Sequence, residues 1–227
     1  MIVCRCSVLV SISPSAIAVP ADGLILEYLF EGNAQDTSGA NNHGIVTGLN
    51  STTDRFGNVD SAFAFNKNGY VQVNNSLLLH GSSAASVNVW VQAGFNPGEH
   101  GYVIGAGDSR AGLDPFSILF GGGNTLNKAI FSQADRGPSH PDQRIGFAGG
   151  LPILMGGATG WVSAFEADTG IWYFLTSQFE SNANGTTFQF FINGGLVSEI
   201  FYPRTHRVFF DRAMPVQIGA QTSATAS

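Results

Sequence analysis

Charge is scarce in this sequence. Lysine, arginine, aspartate and glutamate together make up 11% of its 227 residues, the formal net charge is −6, and lysine and arginine nowhere form a run. The basic footprint that holds a phosphate backbone is therefore missing, which excludes nucleic acid as an expected partner. Cysteine is nearly absent too. Both cysteines, Cys4 and Cys6, lie at the N-terminal end, so the chain beyond residue 18 has neither a disulfide framework nor a thiol nucleophile. After residue 18 no apolar stretch approaches the roughly 20 residues that cross a bilayer, so no membrane span is expected. Few stretches read as helix, and no internal repeat is visible.

What the sequence does have is aromatic bulk and turn formers. Hydrophobic residues make up 44%, with 18 Phe against 5 Tyr, and glycine reaches 29. Phenylalanine in this excess fills an interior, and glycine at this level with little charge suits many short strands joined by tight turns. The expected class is all-β, as one domain over residues 19–220 with a small, polar, disordered tail at 221–227.

Residues 1–18 have the form of a secretory signal peptide: Arg5, a short apolar core from Cys6 to Ile12, and the small-x-small site Ala16-Ile17-Ala18 before Val19. The expected location is secreted, cell-surface or periplasmic. One arginine and a brief core also fit a misassigned start or a fragment end, so that alternative stays open.

From Leu24 onward, segments rich in Val, Ile, Phe and Tyr alternate with Gly, Asn, Asp and Pro. The pattern predicts strands at 24–30, 61–66, 69–74, 86–93, 101–105, 116–120, 128–132, 171–179, 187–193, 196–201 and 215–219. In Ser86–Gln92 the period of two puts Val87, Val89 and Val91 on one face, assigned to the core, and Asn88, Trp90 and Gln92 on the other. Phe188, Phe190 and Ile192 likewise share a face. Asn193-Gly194 follows as a pair that tolerates positive φ, which predicts a tight hairpin. Between Gln133 and Gly160 the density of Gly and Pro predicts a long surface loop.

These segments, in this order, resemble the laminin-G-like jelly-roll family of the concanavalin A-like superfamily. The resemblance is carried by Gly23-Leu24-Ile25-Leu26-Glu27-Tyr28-Leu29-Phe30-Glu31-Gly32-Asn33-Ala34-Gln35-Asp36-Thr37-Ser38-Gly39, then Asn42-His43-Gly44, Asp54-Arg55-Phe56-Gly57, Ser61–Phe65 and Gly69–Val73. Val87–Val91, Trp172–Thr176 and Phe191-Ile192-Asn193-Gly194 continue it, and the match covers about residues 23–219. It implies a two-sheet antiparallel jelly-roll sandwich. The family continues past the position of Ile218-Gly219 into a last strand beside the first, and this chain stops instead. The strand from Leu24 to Phe30 is therefore expected to lack a neighbour, leaving an open edge that either lowers stability or is completed by a partner chain.

The resemblance implies a non-catalytic, lectin-like module binding carbohydrate or an extracellular protein, with calcium near the rim in many relatives. Glu31, Asn33 and Asp36 are the nearest oxygen ligands for calcium, although Asp36 can equally cap its own turn. Zinc has no motif, since His43, His80, His100, His140 and His206 are scattered beside turns. For a sugar, Trp90 flanked on its own face by Asn88 and Gln92 offers an aromatic platform with polar groups beside it, and Trp161 a second. Trp90 packing beneath a loop is the other reading, and Trp172 is assigned to the core. The enzymatic alternative is a glycoside hydrolase, which needs two carboxyl groups across the bond. The only approach to the glucanase pattern is Glu166-Ala167-Asp168-Thr169-Gly170-Ile171, where Ile171 replaces the second acid. A purely structural module, or a fragment of a larger surface protein, is the third reading. Three glycosylation sequons, at Asn50, Asn74 and Asn184, matter only in a glycosylating cell.

Overall fold

In the computed structural model, residues 2–9, 23–66, 68–73, 82–92, 101–106, 116–120, 130–134, 144–148, 151–155, 168, 170–203 and 215–220 are described. The elements are β1 (Ile2–Leu9), β2 (Leu24–Tyr28), β3 (Gly44–Thr47), β4 (Asn50–Thr52), β5 (Ala62–Ala64), β6 (Tyr70–Val73), β7 (Ala84–Gln92) and β8 (Gly101–Ala106). They continue as β9 (Phe116–Phe120), β10 (Ile130–Ala134), β11 (Arg144–Ala148), β12 (Leu151–Met155), β13 (Trp172–Asn182), β14 (Gly185–Ile192), β15 (Gly195–Tyr202) and β16 (Gln217–Ile218). Every described element is a strand, and among the described residues no helix is long and apolar enough to cross a membrane.

The strands form two antiparallel sheets. One runs β15-β14-β13-β7-β1-β5-β4, with β2 also pairing β1; the other runs β12-β11-β10-β9-β8-β16-β6-β3. A single buried cluster draws on both. Leu26, Tyr28, Phe63, Val87, Val89, Val91, Leu175, Phe179, Phe190 and Ile192 come from the first sheet, and Val71, Val73, Val103, Ile104 and Ile218 from the second. The alternation expected of Ser86–Gln92 is seen directly: Val87, Val89 and Val91 are wholly buried, while Asn88, Trp90 and Gln92 are partly exposed on the opposite face. Removing each such valine from water is worth roughly 1.5–3 kcal/mol.

The Asn193-Gly194 hairpin is also present. Ile192 pairs with Gly195, and the two loop residues have φ of 52° and 80°, the positive pair of a type I′ turn. Asn193 then ties the turn to the neighbouring strand, its Oδ1 accepting from the Phe174 N–H and its own N–H donating to the Phe174 carbonyl.

Four expectations need correction. The stretch from Gln133 to Gly160 is not one loop, because the end of β10 and all of β11 and β12 lie in it as consecutive antiparallel strands. Its prolines and glycines punctuate short strands, and Pro152 falls in β12, which ends its sheet, where a residue without an N–H is tolerated. Gly44–Thr47 and Asn50–Thr52 are further strands that the turn-rich composition of their flanks concealed. Trp172 is not in the core: Tyr173 and Leu175 are buried, so the period of two turns Trp172 and Phe174 to the outer face, where both are partly exposed.

The last correction concerns the first-strand edge. Leu24–Tyr28 has a neighbour, since β1 pairs it antiparallel from Cys6↔Tyr28 to Leu9↔Leu24. Rows of unpaired N–H and C=O groups beside a buried face are costly, and residues read as the front of a leader satisfy them here. The cleavage site at Ala16–Ala18 and the tail at 221–227 lie outside the described residues.

Candidate functional site: the outer face of the first sheet

Register across β7, β13, β14 and β15 decides which side chains share the face turned away from the core. Trp172 pairs with Gln92, Phe174 with Trp90, and Thr176 with Asn88. Gln178 pairs with Gln189 and Gln189 with Glu199. Paired residues of antiparallel strands lie on the same face with Cβ atoms about 5 Å apart, so aromatic and amide side chains form adjoining rows.

The polar row holds two hydrogen-bonded groups. Thr176 Oγ1 donates to Asn88 Oδ1, Gln178 Nε2 donates to Gln189 Oε1, and Gln189 Nε2 donates to Glu199 Oε2. Such bonds fix amide orientation, which a ligand-binding surface needs before the ligand arrives. Gln92 Nε2 donates to the Gly170 carbonyl 2.7 Å away, tying β7 to the approach of β13.

Trp90 is the centre of the aromatic row. Its ring lies 5.1 Å from that of Phe174 at 31°. The Arg55 guanidinium sits 4.2 Å from the Trp90 centroid and 4.0 Å from that of Phe56, a cation–π arrangement between two rings. Arg55 is held by the turn that Asp54 organises: Asp54 Oδ1 accepts from the N–H groups of Phe56 and Asn58, and Oδ2 from Asn58 Nδ2. Thus Asn88, Trp90 and Gln92 share one face, and the Arg55 guanidinium lies over the Trp90 ring. Trp161 and Glu166 lie outside the described residues, as do His80, His100, His140 and His206. Asp168 is exposed, and its N–H donates to the Tyr173 hydroxyl at 2.9 Å.

Sequence reasoning missed the row partners Gln178, Gln189 and Glu199 and the Arg55 lid. Alternation within Trp172–Gln178 carried a signal for Gln178, but pairing across strands was needed for the rest.

The calcium candidates have a different arrangement. Asp36 is buried, while Glu31 and Asn33 are exposed on the adjoining turn. Asp36 Oδ1 accepts from the N–H groups of Glu27 and Ser38, and Oδ2 accepts from Ser38 Oγ and the Asn42 N–H, all within 2.8–2.9 Å. A carboxylate has about four lone-pair positions, and four donors from its own turn and from Glu27 meet them. Asn33 is likewise spent locally, accepting from the Gln35 N–H and donating to the Glu31 carbonyl. Among the described residues no group of three or more His, Cys, Asp or Glu could hold a metal.

Burial works to raise the Asp36 pKa, but the hydrogen bonds from Glu27, Ser38 and Asn42 outweigh it and hold the carboxyl below its ordinary value. A depressed folded-state pKa contributes stability that is present above the unfolded value, near 4, and is lost as pH falls through the folded one. Asp36→Asn should therefore destabilise the protein by about 1–3 kcal/mol at pH 7, because an amide N–H₂ then faces donors. The deficit should shrink below pH 4, as read by urea denaturation at pH 7 and pH 2.5; an equal deficit at both would refute the assignment.

The class defined so far is an all-β protein of two antiparallel sheets with a half-buried aromatic and amide strip on one outer face. No protein-family model and no curated protein sequence matches the chain.

Proposed function

We propose that the protein is an exported, non-catalytic recognition module of the laminin-G-like jelly-roll type that binds a carbohydrate chain along the outer face of β7, β13, β14 and β15. One observation carries the reading: Trp90, Trp172 and Phe174 share that face with Asn88, Gln92, Thr176, Gln178 and Gln189. A pyranose has an apolar face ringed by hydroxyls, and aromatic rings beside oriented amides match both parts. The jelly-roll type is supported by the two antiparallel sheets, the shared core and the hairpin at Asn193-Gly194.

The test is a broad glycan array followed by titration calorimetry of any hit. Trp172→Ala and Gln178→Ala, both on the outer face, should each weaken binding at least about tenfold, equal to roughly 1.4 kcal/mol, with the circular dichroism spectrum unchanged. Absence of any glycan hit for the wild-type protein, or undiminished binding by both variants, would remove the proposal.

A further inference from the structure

Ile2–Leu9 does not lie at a sheet edge. It fills an interior position of the first sheet, with β7 on one side and β2 and then β5 on the other. Seven of its residues pair with β7, from Ile2↔Gln92 to Leu9↔Ser86, and four pair with β2. The register sets position 6 between Val89 and Tyr28, and position 8 between Val87 and Leu26. All four of those flanking residues are wholly buried. Yet the same segment opens the stretch that reads as a signal peptide ending at Ala18. Cleavage there would remove an interior strand, not a tail.

An empty interior position has stricter requirements than an open edge. Two strands, β7 and β2, would each present unpaired N–H and C=O groups toward one gap, above a strip lined by Val87, Val89, Leu26 and Tyr28. Water can solvate those backbone groups only by also wetting the apolar strip. A strand that donates and accepts on both its sides, with apolar residues at alternate positions, resolves both defects at once. Proline is excluded from its centre, because each side of the gap needs N–H donors.

We infer that the gap between Ala84–Gln92 and Leu24–Tyr28 is a strand-accepting slot. In the full chain Ile2–Leu9 occupies it. Once the leader is removed, an extended, proline-free, alternately apolar strand of another polypeptide takes its place in the same antiparallel register. The inference rests on export with leader cleavage, part of the reading above, and is independent of carbohydrate binding.

The experiment starts from the full chain, folded with a specific protease site in place of residues 14–18 and cut only afterwards. A fluorescent peptide of residues 1–11, with both cysteines replaced by alanine, is then added, alongside the same peptide with proline at position 6. The first peptide should displace the cut fragment and bind with micromolar or tighter affinity, and the proline peptide at least tenfold more weakly. If the cut protein precipitates, protection by the first peptide and not by the second supports the slot. Equal behaviour of the two peptides, or loss of the fragment with no change in melting temperature, overturns it. N-terminal sequencing of the exported protein tests processing separately: a start at Val19 is expected, and a start at Met1 overturns replacement of the strand by another chain, whatever the peptides do.

Discussion

Val89→Asp should leave the protein without a cooperative thermal transition, whereas Asn88→Ala, one residue away, should shift stability by only about 1 kcal/mol. Val89 is wholly buried and is flanked in register by Leu175 and by position 6 of β1. A carboxylate there has no cationic partner among the described buried residues. Desolvating it costs several kcal/mol even if it takes up a proton, on top of the lost packing of the valine side chain. Against a total stability of about 5–15 kcal/mol, that is enough to unfold the domain. Asn88 faces outward and loses mainly its bond with Thr176, worth about 1 kcal/mol. Far-UV circular dichroism melts of the two variants check the face assignment. Similar losses for both would mean that β7 does not have a core side and an outer side.

Gly219→Ala should cost about 2–5 kcal/mol, and Gly57→Ala about 1 kcal/mol. Both glycines have positive φ, 86° and 89°, so each alanine meets the left-handed penalty of about 1–2 kcal/mol. They differ in space. A Cβ at Gly57 would meet nothing within 4 Å, whereas one at Gly219 would overlap the ring of Phe65, which belongs to the core. Gly219 follows β16 directly, and its N–H donates to the Val103 carbonyl at 3.1 Å, so neither the backbone nor the ring can yield cheaply. Chemical denaturation of the two variants separates the terms, since the difference between them measures the packing part alone. Equal losses would place the Phe65 ring elsewhere.

Local chemistry made much of this protein legible. Period-two alternation identified Val87, Val89 and Val91 as a buried face because side chains of a strand must leave opposite sides of it. Asn193-Gly194 identified its hairpin because only residues tolerant of positive φ can make so short a connection with the right twist. The same reasoning failed at Trp172, where a large aromatic among aromatic neighbours suggested the core. Burial is decided by phase along the strand, and Tyr173 occupies the inward position. It failed also at 133–160, where glycine and proline density outweighed short apolar runs such as Ile145–Phe147 that pair only because β10 and β12 flank them.

Asp36 shows the limit on the site. An Asp in a turn rich in Asn, Ser and Gly has the composition of a cation loop and of a self-capped turn alike. The sequence could name both, and only the positions of Glu27, Ser38 and Asn42 show that the turn is capped by this carboxylate. Trp90 is parallel: its flanking amides were readable from alternation, but the Arg55 guanidinium above its ring comes from a turn thirty-five residues earlier.

By itself the sequence determined the all-β character, most strand positions, the inward face of β7 and the tight turns, since each depends on residues within a few positions of one another. Tertiary structure alone decided the strand order, the row of amides from Asn88 to Glu199 and the placing of Ile2–Leu9 inside a sheet. Those depend on which distant segments exchange backbone hydrogen bonds, and the N–H and C=O groups that do so are the same in every residue except proline.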